Sequence, residues 1–236
     1  MVEQPTPHVR PPAGTSRPAS TPDSGVLVIG LGRFGSSIAL TLESLGHDVL
    51  AVERDPALVR HYTGRFPLVE ADAVNPEALV QLSAADFPVA VVGVGTSLEA
   101  SVLITGNLVD LGTPQIWAKA TSPEHARILT RIGAHHVVLP EADAGNRVAH
   151  LVSGKLLDYI EVEDGFTIVK MRPPRETVGF TVAQSQVRKR YGVTVIGVKS
   201  PGEPFVYATG ETRIAANDIL VVSGHAQLLE RFAARP

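Results

Sequence analysis

The sequence contains no cysteine. Disulfide bonds, thiolate zinc sites and cysteine nucleophiles are therefore excluded, and a reducing compartment is compatible with the chain. No apolar run approaches the roughly 18 residues that a membrane-spanning helix needs. Neither sign of charge is in large excess, because 21 Lys and Arg nearly balance 24 Asp and Glu and the formal net charge is -3. That balance gives no electrostatic basis for binding nucleic acid or anionic lipid.

The 236 residues are enough for one large domain, or for a main domain with a smaller companion. Hydrophobic residues make up 44% of the chain, which is typical of a globular protein with a sizeable core. Residues 1–24 differ from the rest, since they hold six of the 18 prolines and no apolar segment. This composition predicts a disordered tail and not a signal peptide.

The most informative stretch joins an apolar strand to a complete G-x-G-x-x-G turn at Gly30, Gly32 and Gly35. The strand, Val26–Ile29, is apolar throughout, as expected for a parallel strand that is covered on both faces. The first glycine of such a turn permits a tight bend, the second lets backbone approach a pyrophosphate, and the third lets a helix pack closely. The N-terminus of that helix, predicted at Ser36–Leu45, favours bound phosphate through its N–H groups and dipole.

An acidic residue follows at the expected distance. Glu53 ends the next apolar run, Val49–Val52, about twenty residues after the glycines. A carboxylate there accepts hydrogen bonds from both ribose hydroxyls and repels a 2′-phosphate. Strand, turn, helix and acid together predict a nucleotide site.

From Gly25 onward, short apolar strands alternate with helices. Strands are predicted at Val26–Ile29, Val49–Val52, Leu68–Glu70, Val89–Val92, Ile116–Lys119 and Val137–Leu139. Helices are predicted at Ser36–Leu45, Pro56–Tyr62, Pro76–Leu82, Leu98–Leu111 and Pro123–Ile132. Repeated βα units with turns this short predict an α/β fold with a Rossmann-like, doubly wound parallel sheet.

After Pro140 the pattern changes. One helix is predicted over Glu141–Leu157. Strands follow at Tyr159–Glu163, Phe166–Met171, Val193–Val198, Phe205–Tyr207 and Ile219–Val222, with helices at Ala183–Tyr191 and His225–Phe232. This mixture predicts a small α+β domain of about 80 residues, with the boundary near Asp158 and the domains at 25–157 and 158–236. Such a small unit has a thin core, which it often shares with a partner subunit.

Polar residues at the carboxyl ends of the strands are the candidate ligand contacts. Arg33, inside the glycine turn, carries a guanidinium suited to a terminal phosphate; a surface role is the alternative. Asp72 follows the third strand, where it accepts from an adenine amino group or caps the next helix. Gly95 lets adenosine approach closely, although turn chemistry also explains a glycine there. Lys119 ends the fifth strand at the ligand-binding edge and can reach phosphate; a role as a surface lysine is the alternative.

Catalytic constellations do not match the sequence. Lys155 precedes Tyr159, the reverse of the Tyr-x-x-x-Lys order of short-chain dehydrogenases. His135 and His136 are adjacent on a predicted strand and would point to opposite faces, which does not suit a shared metal ion. The sequence also has no G-x-S-x-G elbow and no P-loop. We therefore predict a nucleotide-binding protein that is not an enzyme.

Seven segments share a pattern with one family, at Gly30–Gly35, Gly46–Glu53, Ile116–Ala120, Ile132–Ala134, Leu139–Asp143, Lys189–Gly192 and Asp218–His225. Together they resemble the RCK (KTN) regulators of bacterial potassium transport, and in particular the Ktr-type cytosolic subunit of the TrkA family. The resemblance runs from Gly25 to the C-terminus. It implies a cytoplasmic regulatory subunit at the inner face of the plasma membrane. There a homo-octameric ring, built from dimers, docks on a membrane-embedded potassium channel subunit.

The resemblance also implies ATP or ADP in the N-terminal domains, with ATP favouring the activating ring and ADP the inactive one. The phosphate-contacting arginine of the family falls on Arg33, its ribose-binding acid on Glu53 and its phosphate-reaching lysine on Lys119. Some members with tandem copies prefer NAD, whereas one copy with the Arg33 loop favours ATP or ADP over NAD or NADH. The nucleotide contacts assigned are Gly30, Gly32, Arg33, Phe34, Gly35, Glu53, Arg54, Asp72, Ala73, Gly95 and Lys119.

Two further sites follow from the resemblance. A glutamate at the intersubunit face, linked to an activating Mg²⁺, Ca²⁺ or Na⁺, falls on Glu141. The C-terminal domain of the family can bind cyclic di-AMP between two subunits, with contacts near Val187 and Arg188. The chain departs from the family in two places. Glu53 replaces the aspartate common in close relatives, and Phe205–Gly210 departs from the proline-bearing pattern that lines the cyclic di-AMP pocket.

Two other functions stay open on the sequence alone. One is an NAD(H)-dependent oxidoreductase, and the other is an NAD(H)-sensing regulator of another transporter. An oxidoreductase needs an acid–base residue near the nicotinamide, and none is evident in the sequence. Mass spectrometry of a co-purifying nucleotide would discriminate between these functions.

Overall fold

The computed structural model describes residues 25–152 and 155–235, so the tail predicted for residues 1–24 lies outside the described residues. The chain divides into two compact units. The first unit is Met1–Pro140, and the second unit is Glu141–Pro236. The domain boundary near Asp158 stays a prediction.

The first unit is built on a parallel sheet. Its strands are β1 (Val26–Ile29), β2 (Val49–Glu53), β3 (Leu68–Glu70), β4 (Val89–Val92), β5 (Gln115–Lys119) and β6 (His136–Val138). Within the described residues they lie in the order β3-β2-β1-β4-β5-β6, all parallel. Because the order reverses between β1 and β4, a crevice opens beyond the carboxyl ends of these strands. The predicted doubly wound sheet is confirmed.

Helices connect the strands of the first unit at α1 (Arg33–Ser44), α2 (Pro56–Tyr62), α3 (Pro76–Gln81), α4 (Leu98–Asp110) and α5 (Pro123–Ile132). A proline begins three of these helices after a residue whose side chain caps the first turn. Helix α1 begins at Arg33, three residues before the predicted start. The turn itself winds into the helix, since the N–H of Ser36 donates to the carbonyl of Gly32 at 2.9 Å.

Both faces of this sheet are covered, which explains the uninterrupted apolar strands. Alternate residues of β1 lie in different clusters, because Leu27 and Ile29 pack on one side and Val28 packs on the other. The first cluster also includes Leu108 of α4 and Leu129 of α5. The second is closed by residues of α1 and the segment before β3, including Ala39, Ile38 and Phe66.

The second unit contains an antiparallel sheet. After helix α6 (Pro140–Val152) its strands are β7 (Leu156–Glu163), β8 (Phe166–Met171), β9 (Thr194–Lys199), β10 (Val206–Tyr207) and β11 (Ile219–His225). Its short helices are α7 (Val182–Ser185), α8 (Val187–Tyr191) and α9 (Ala226–Ala233). The described strands lie in the order β10-β9-β11-β8-β7. The core includes Tyr159, Met171, Leu220 and Phe232, so a small α+β unit is confirmed.

Three predicted elements of the second unit differ in the structure. The helix predicted over Glu141–Leu157 ends at Val152, because Leu156 instead pairs with Met171 in the sheet. The helix predicted over Ala183–Tyr191 is two helices, since Gln186 between them takes a left-handed conformation at φ 49°. Strand β11 runs beyond Val222 because pairing with β8 continues to His225.

A buried histidine lies in the first turn of α5. His125 is 0% exposed, and its Nδ1 lies 3.3 Å from the backbone nitrogen of Thr121. Its Nε2 makes no hydrogen bond within the residues that the structure describes. Burial lowers the pKa of His125 below its ordinary value of 6.5, since the charged imidazolium would be poorly solvated.

We expect His125 to make the first unit less stable in acid. Its folded-state pKa is lowered, so the full stability is present above pH 6.5 and is lost as the pH falls below that value. Urea unfolding between about pH 5 and 7.5 should give a pH slope that His125→Asn reduces by at most about one proton. The exposed His47 supplies the control, His47→Asn, which should keep the wild-type slope. An unchanged slope in His125→Asn would exclude this role.

Candidate functional site

A cleft of about 260 Å³ lies at the reversal point of the parallel sheet. Its walls come from four segments that follow strands β1, β2, β3 and β4. The lining residues include Gly30, Gly32, Glu53, Arg54, Asp72, Ala73 and Gly95, all of which were predicted as nucleotide contacts. The parallel strands thus bring together residues that are up to 65 positions apart in the sequence. This is the place where open α/β sheets bind ligands.

The three glycines of the turn meet different demands. Gly30 has φ 87°, which favours glycine, and turns the chain out of β1. A Cβ on Gly35 would lie 1.9 Å from the carbonyl oxygen of Gly30, so only glycine lets α1 approach. By contrast, no atom lies within 4 Å of a Cβ built on Gly32. Because Gly32 lines the cleft, the space beside it is open to a ligand.

Helix α1 differs from its neighbours at its N-terminus. Its N-cap, Gly32, provides no side-chain hydrogen bond, and its first turn has no acidic residue. Helices α2 to α5 are each capped by a side chain, from Asp55, Asn75, Ser97 and Ser122. The N–H groups in the first turn of α1 therefore point toward an acceptor that the chain does not supply as a cap. An anionic group such as a phosphate would satisfy them.

Glu53 holds its carboxylate at the cleft wall. The residue is buried at 8% exposure. Its Oε1 accepts hydrogen bonds from the N–H groups of Arg54 and Asp55, both at 2.9 Å. Its Oε2 accepts from the N–H of Leu31, at 2.5 Å, in the glycine turn. The buried carboxylate is thus fixed by backbone donors beside the cleft.

Two cationic residues lie at the glycine turn. The Nζ of Lys119 is 5.8 Å from the centre of the Phe34 ring, and a Cβ on Gly95 would approach that Nζ to 3.2 Å. Arg33 is exposed at the first position of α1. Arg33, Phe34, Gly35 and Lys119 are not among the residues that line the cleft of the described chain. They lie next to it, at the end where α1 begins.

The remaining predicted contacts follow β2 and β3. Asp72 is exposed, and its Oδ1 accepts from the N–H of Val74 at 3.1 Å. The cap of α3 is Asn75 and not Asp72, so the capping alternative for Asp72 is not what the structure shows. The sequence reasoning missed the apolar wall of the cleft, which includes Leu58, Val94 and Ile104. Only the position of Val94 between Gly93 and Gly95 offered a sequence signal for it.

Two family models match the chain. Residues 26–140 match the TrkA-N domain and residues 166–235 match the TrkA-C domain. The chain is 35% identical over 207 residues to Ktr system potassium uptake protein A of Bacillus subtilis (strain 168), covering 87% of this chain and 93% of that protein. The chain belongs to the Ktr-type RCK family. Ktr system potassium uptake protein C of the same strain is 34% identical over 210 residues, with coverages of 88% and 95%.

Solved RCK structures share the fold. The GsuK RCK domain superposes with a TM-score of 0.64 at 21% identity, over 90% of this chain and 48% of that chain. The structure described as the GsuK channel bound to NAD gives a TM-score of 0.65 at 20% identity, over 90% and 40%. The chain therefore spans less than half the length of these two structures. At this identity the likeness shows the fold alone, and the predicted RCK fold is confirmed.

The other sites suggested by the RCK resemblance fall in the second unit. Glu141 is exposed in the first turn of α6. Within residues 25–152 and 155–235, no group of three or more His, Asp or Glu is arranged to hold a metal ion. Val187 is buried in the core at 2% exposure, whereas its neighbour Arg188 is exposed. The cation and cyclic di-AMP sites stay predictions.

No helix among the described residues combines the length and apolar content needed to cross a membrane.

Proposed function

We propose that this chain is the ATP- and ADP-binding regulatory subunit that gates a membrane-embedded potassium-uptake channel. The observation that carries the proposal is the uncapped N-terminus of α1 beside a cleft whose wall holds Glu53. A nucleotide would place phosphate at the first turn of α1 and ribose at Glu53. The relatives named as Ktr system potassium uptake proteins support the channel as the partner.

The charges at the turn favour a mononucleotide with a terminal phosphate. Arg33 and Lys119 both lie at the end of the cleft where α1 begins. Two cations there suit the phosphates of ATP or ADP, because charge-assisted hydrogen bonds to phosphate are strong. In a dinucleotide such as NAD, a second nucleoside would follow the phosphates. We therefore assign ATP and ADP as the ligands and NAD(H) as the competing alternative.

The carboxylates of the cleft favour binding over catalysis. Glu53, Asp55 and Asp72 line it, and each accepts hydrogen bonds from backbone N–H groups. These bonds hold each carboxylate in place as an acceptor, which suits the binding of a ligand such as ribose. We infer regulation by the bound nucleotide without turnover. Its place in the cell would be the cytoplasm, peripheral to the inner face of the plasma membrane through the channel.

Nucleotide titration tests this function directly. Mass spectrometry should detect ATP or ADP released from the denatured, freshly purified protein, and calorimetry should show that both bind. Reconstituted with its channel, the protein should raise potassium flux more with ATP than with ADP. NADH binding with no measurable ATP binding would overturn the assignment in favour of the redox-linked alternatives.

We expect the protein to assemble into a ring of eight chains. The exposed α6 has no buried residue, and its apolar Val148 and Val152 are 55% and 75% exposed. Apolar surface of this kind is typical of subunit contacts. The exposed valines indicate a subunit contact, and the RCK resemblance supplies the number of subunits, so light scattering on the full-length protein should give the mass of eight chains, or of the dimers that build the ring. A monomer throughout the micromolar range would contradict the ring.

We also expect Glu141 to contribute to a cation site between two subunits. Its carboxylate is a hard oxygen ligand of the kind that Mg²⁺, Ca²⁺ and Na⁺ prefer. Glu141→Gln should weaken cation activation of the channel about tenfold and keep ATP affinity within a few-fold. Asp143→Asn is the matched control, because Asp143 also lies in the acidic first turn of α6. Equal effects of the two substitutions would leave Glu141 only a helix-dipole role.

A further inference from the structure

The carboxylate of Glu53 bonds in two directions. Its Oε1 accepts from Arg54 and Asp55, which form the local turn at the end of β2. Its Oε2 accepts from Leu31, which lies 22 positions earlier between two glycines of the phosphate turn. One side chain therefore connects the segment expected to hold ribose with the segment expected to hold phosphate.

The acceptor capacity of this carboxylate is nearly filled. An ionised carboxylate offers about four lone-pair positions for hydrogen bonds. Three backbone N–H groups already occupy three of these positions on Glu53. A ribose diol brings two more donors when both of its hydroxyls bind the acid. If Glu53 accepts from both ribose hydroxyls, one of the three backbone N–H groups therefore has to give up its hydrogen bond to the carboxylate.

Leu31 is the donor best able to yield. The donors Arg54 and Asp55 are close in sequence to Glu53, and Asp55 is also held as the cap of α2. The Leu31 N–H shares its peptide with the Gly30 carbonyl, which is packed closely against Gly35, so the bond is broken by a turn of the Glu53 carboxylate toward the ribose and not by rotation of the peptide. The Leu31 side chain, 1% exposed, stays in the core.

We propose that Glu53 is a positioning residue that latches the glycine turn through Leu31, and that ribose binding releases this latch. The inference rests on the proposed nucleotide function and adds a coupling within the site. Without ligand, the Leu31 N–H is held by Glu53. With ribose bound, that N–H is released, so the phosphate turn loses its hydrogen bond to the end of β2 when the nucleoside arrives.

The latch itself is tested without any ligand. Hydrogen exchange of the Leu31 amide in the full-length protein should be at least about tenfold faster in Glu53→Asp than in wild type. The shorter side chain withdraws from Leu31, yet an aspartate still accepts from the N–H two residues ahead. Arg60→Ala, at an exposed position in the last turn of α2, should leave this exchange rate unchanged. Equal rates at Leu31 in wild type and Glu53→Asp would show that no latch exists.

The coupling is tested with two ligands that differ only in the ribose diol. At saturation, the Leu31 amide should exchange about tenfold faster with ADP than with 2′,3′-dideoxy-ADP, which cannot compete for Glu53. Equal exchange in the two complexes would overturn the coupling. If calorimetry shows no ADP binding, the proposed function and the coupling both fail, while the ligand-free comparison still decides whether the latch exists.

Discussion

Replacing Gly35 with alanine should prevent the first unit from folding normally. The new Cβ would lie 1.9 Å from the carbonyl oxygen of Gly30, and backbone at that distance has to move. The Gly30 carbonyl has little room to move, because Gly93 also lies close to it. A Cβ built on Gly93 would be only 3.0 Å from the same oxygen. We expect a loss of at least about 3 kcal/mol in the free energy of unfolding. Urea unfolding followed by circular dichroism measures this loss.

Gly32→Ala is the matched substitution in the same turn. No atom lies within 4 Å of the new Cβ, and φ is -60°, so this variant should fold with near-normal stability. Its methyl group would occupy space beside the uncapped turn of α1, so ATP affinity should fall about tenfold or more. Wild-type ATP affinity in Gly32→Ala would place the phosphates elsewhere. Normal stability in Gly35→Ala would refute the close packing of α1 on the turn.

Arg33→Ala should weaken ATP more than ADP. ATP carries the additional terminal phosphate, and Arg33 lies at the first position of α1, where that phosphate would be recognised. A lost charge-assisted hydrogen bond costs roughly 1.5–3 kcal/mol, or about ten- to a hundred-fold in affinity. The ATP activation of the channel should decrease with it. Calorimetric titration with both nucleotides measures the two affinities in one protein.

Glu53→Ala should behave differently and weaken both nucleotides alike, because ATP and ADP share the ribose. Its loss should also be about ten- to a hundred-fold. Arg60→Ala serves as the neutral control, since Arg60 is exposed in the last turn of α2. Equal losses for ATP and ADP in Arg33→Ala would remove its gating role. If wild-type protein binds NADH more tightly than ATP, the result would favour an NAD(H)-dependent oxidoreductase or an NAD(H)-sensing regulator.

The parallel sheet was predictable because its signals are local. Each strand of the first unit contains a short apolar run, and prolines after Asp55, Asn75 and Ser122 mark where three helices begin. The glycine turn was predictable for the same reason, since Gly30 and Gly35 meet demands of the nearby backbone, while Gly32 leaves open space beside the cleft. Family membership followed from the same segments.

The ends of helices and strands in the second unit were less predictable, because its apolar residues fit the periodicity of a helix as well as that of a strand. Leu156 continues the helical pattern of α6, yet it pairs with Met171 of β8 and is buried in the core. The break at Gln186 has no local signal, since a glutamine rarely takes positive φ and does so here between α7 and α8. In both cases long-range packing outweighed local periodicity.

The residue types and spacing of the glycine turn and its acid were enough to predict a nucleotide site in an RCK-type chain. They could not show that α1 is the uncapped helix among α1 to α5, or that Glu53 also holds Leu31. These facts depend on how strands from distant parts of the sequence meet at one edge of the sheet. Periodicity and spacing report on neighbours along the chain, whereas hydrogen bonds across 22 positions exist only after the chain has folded.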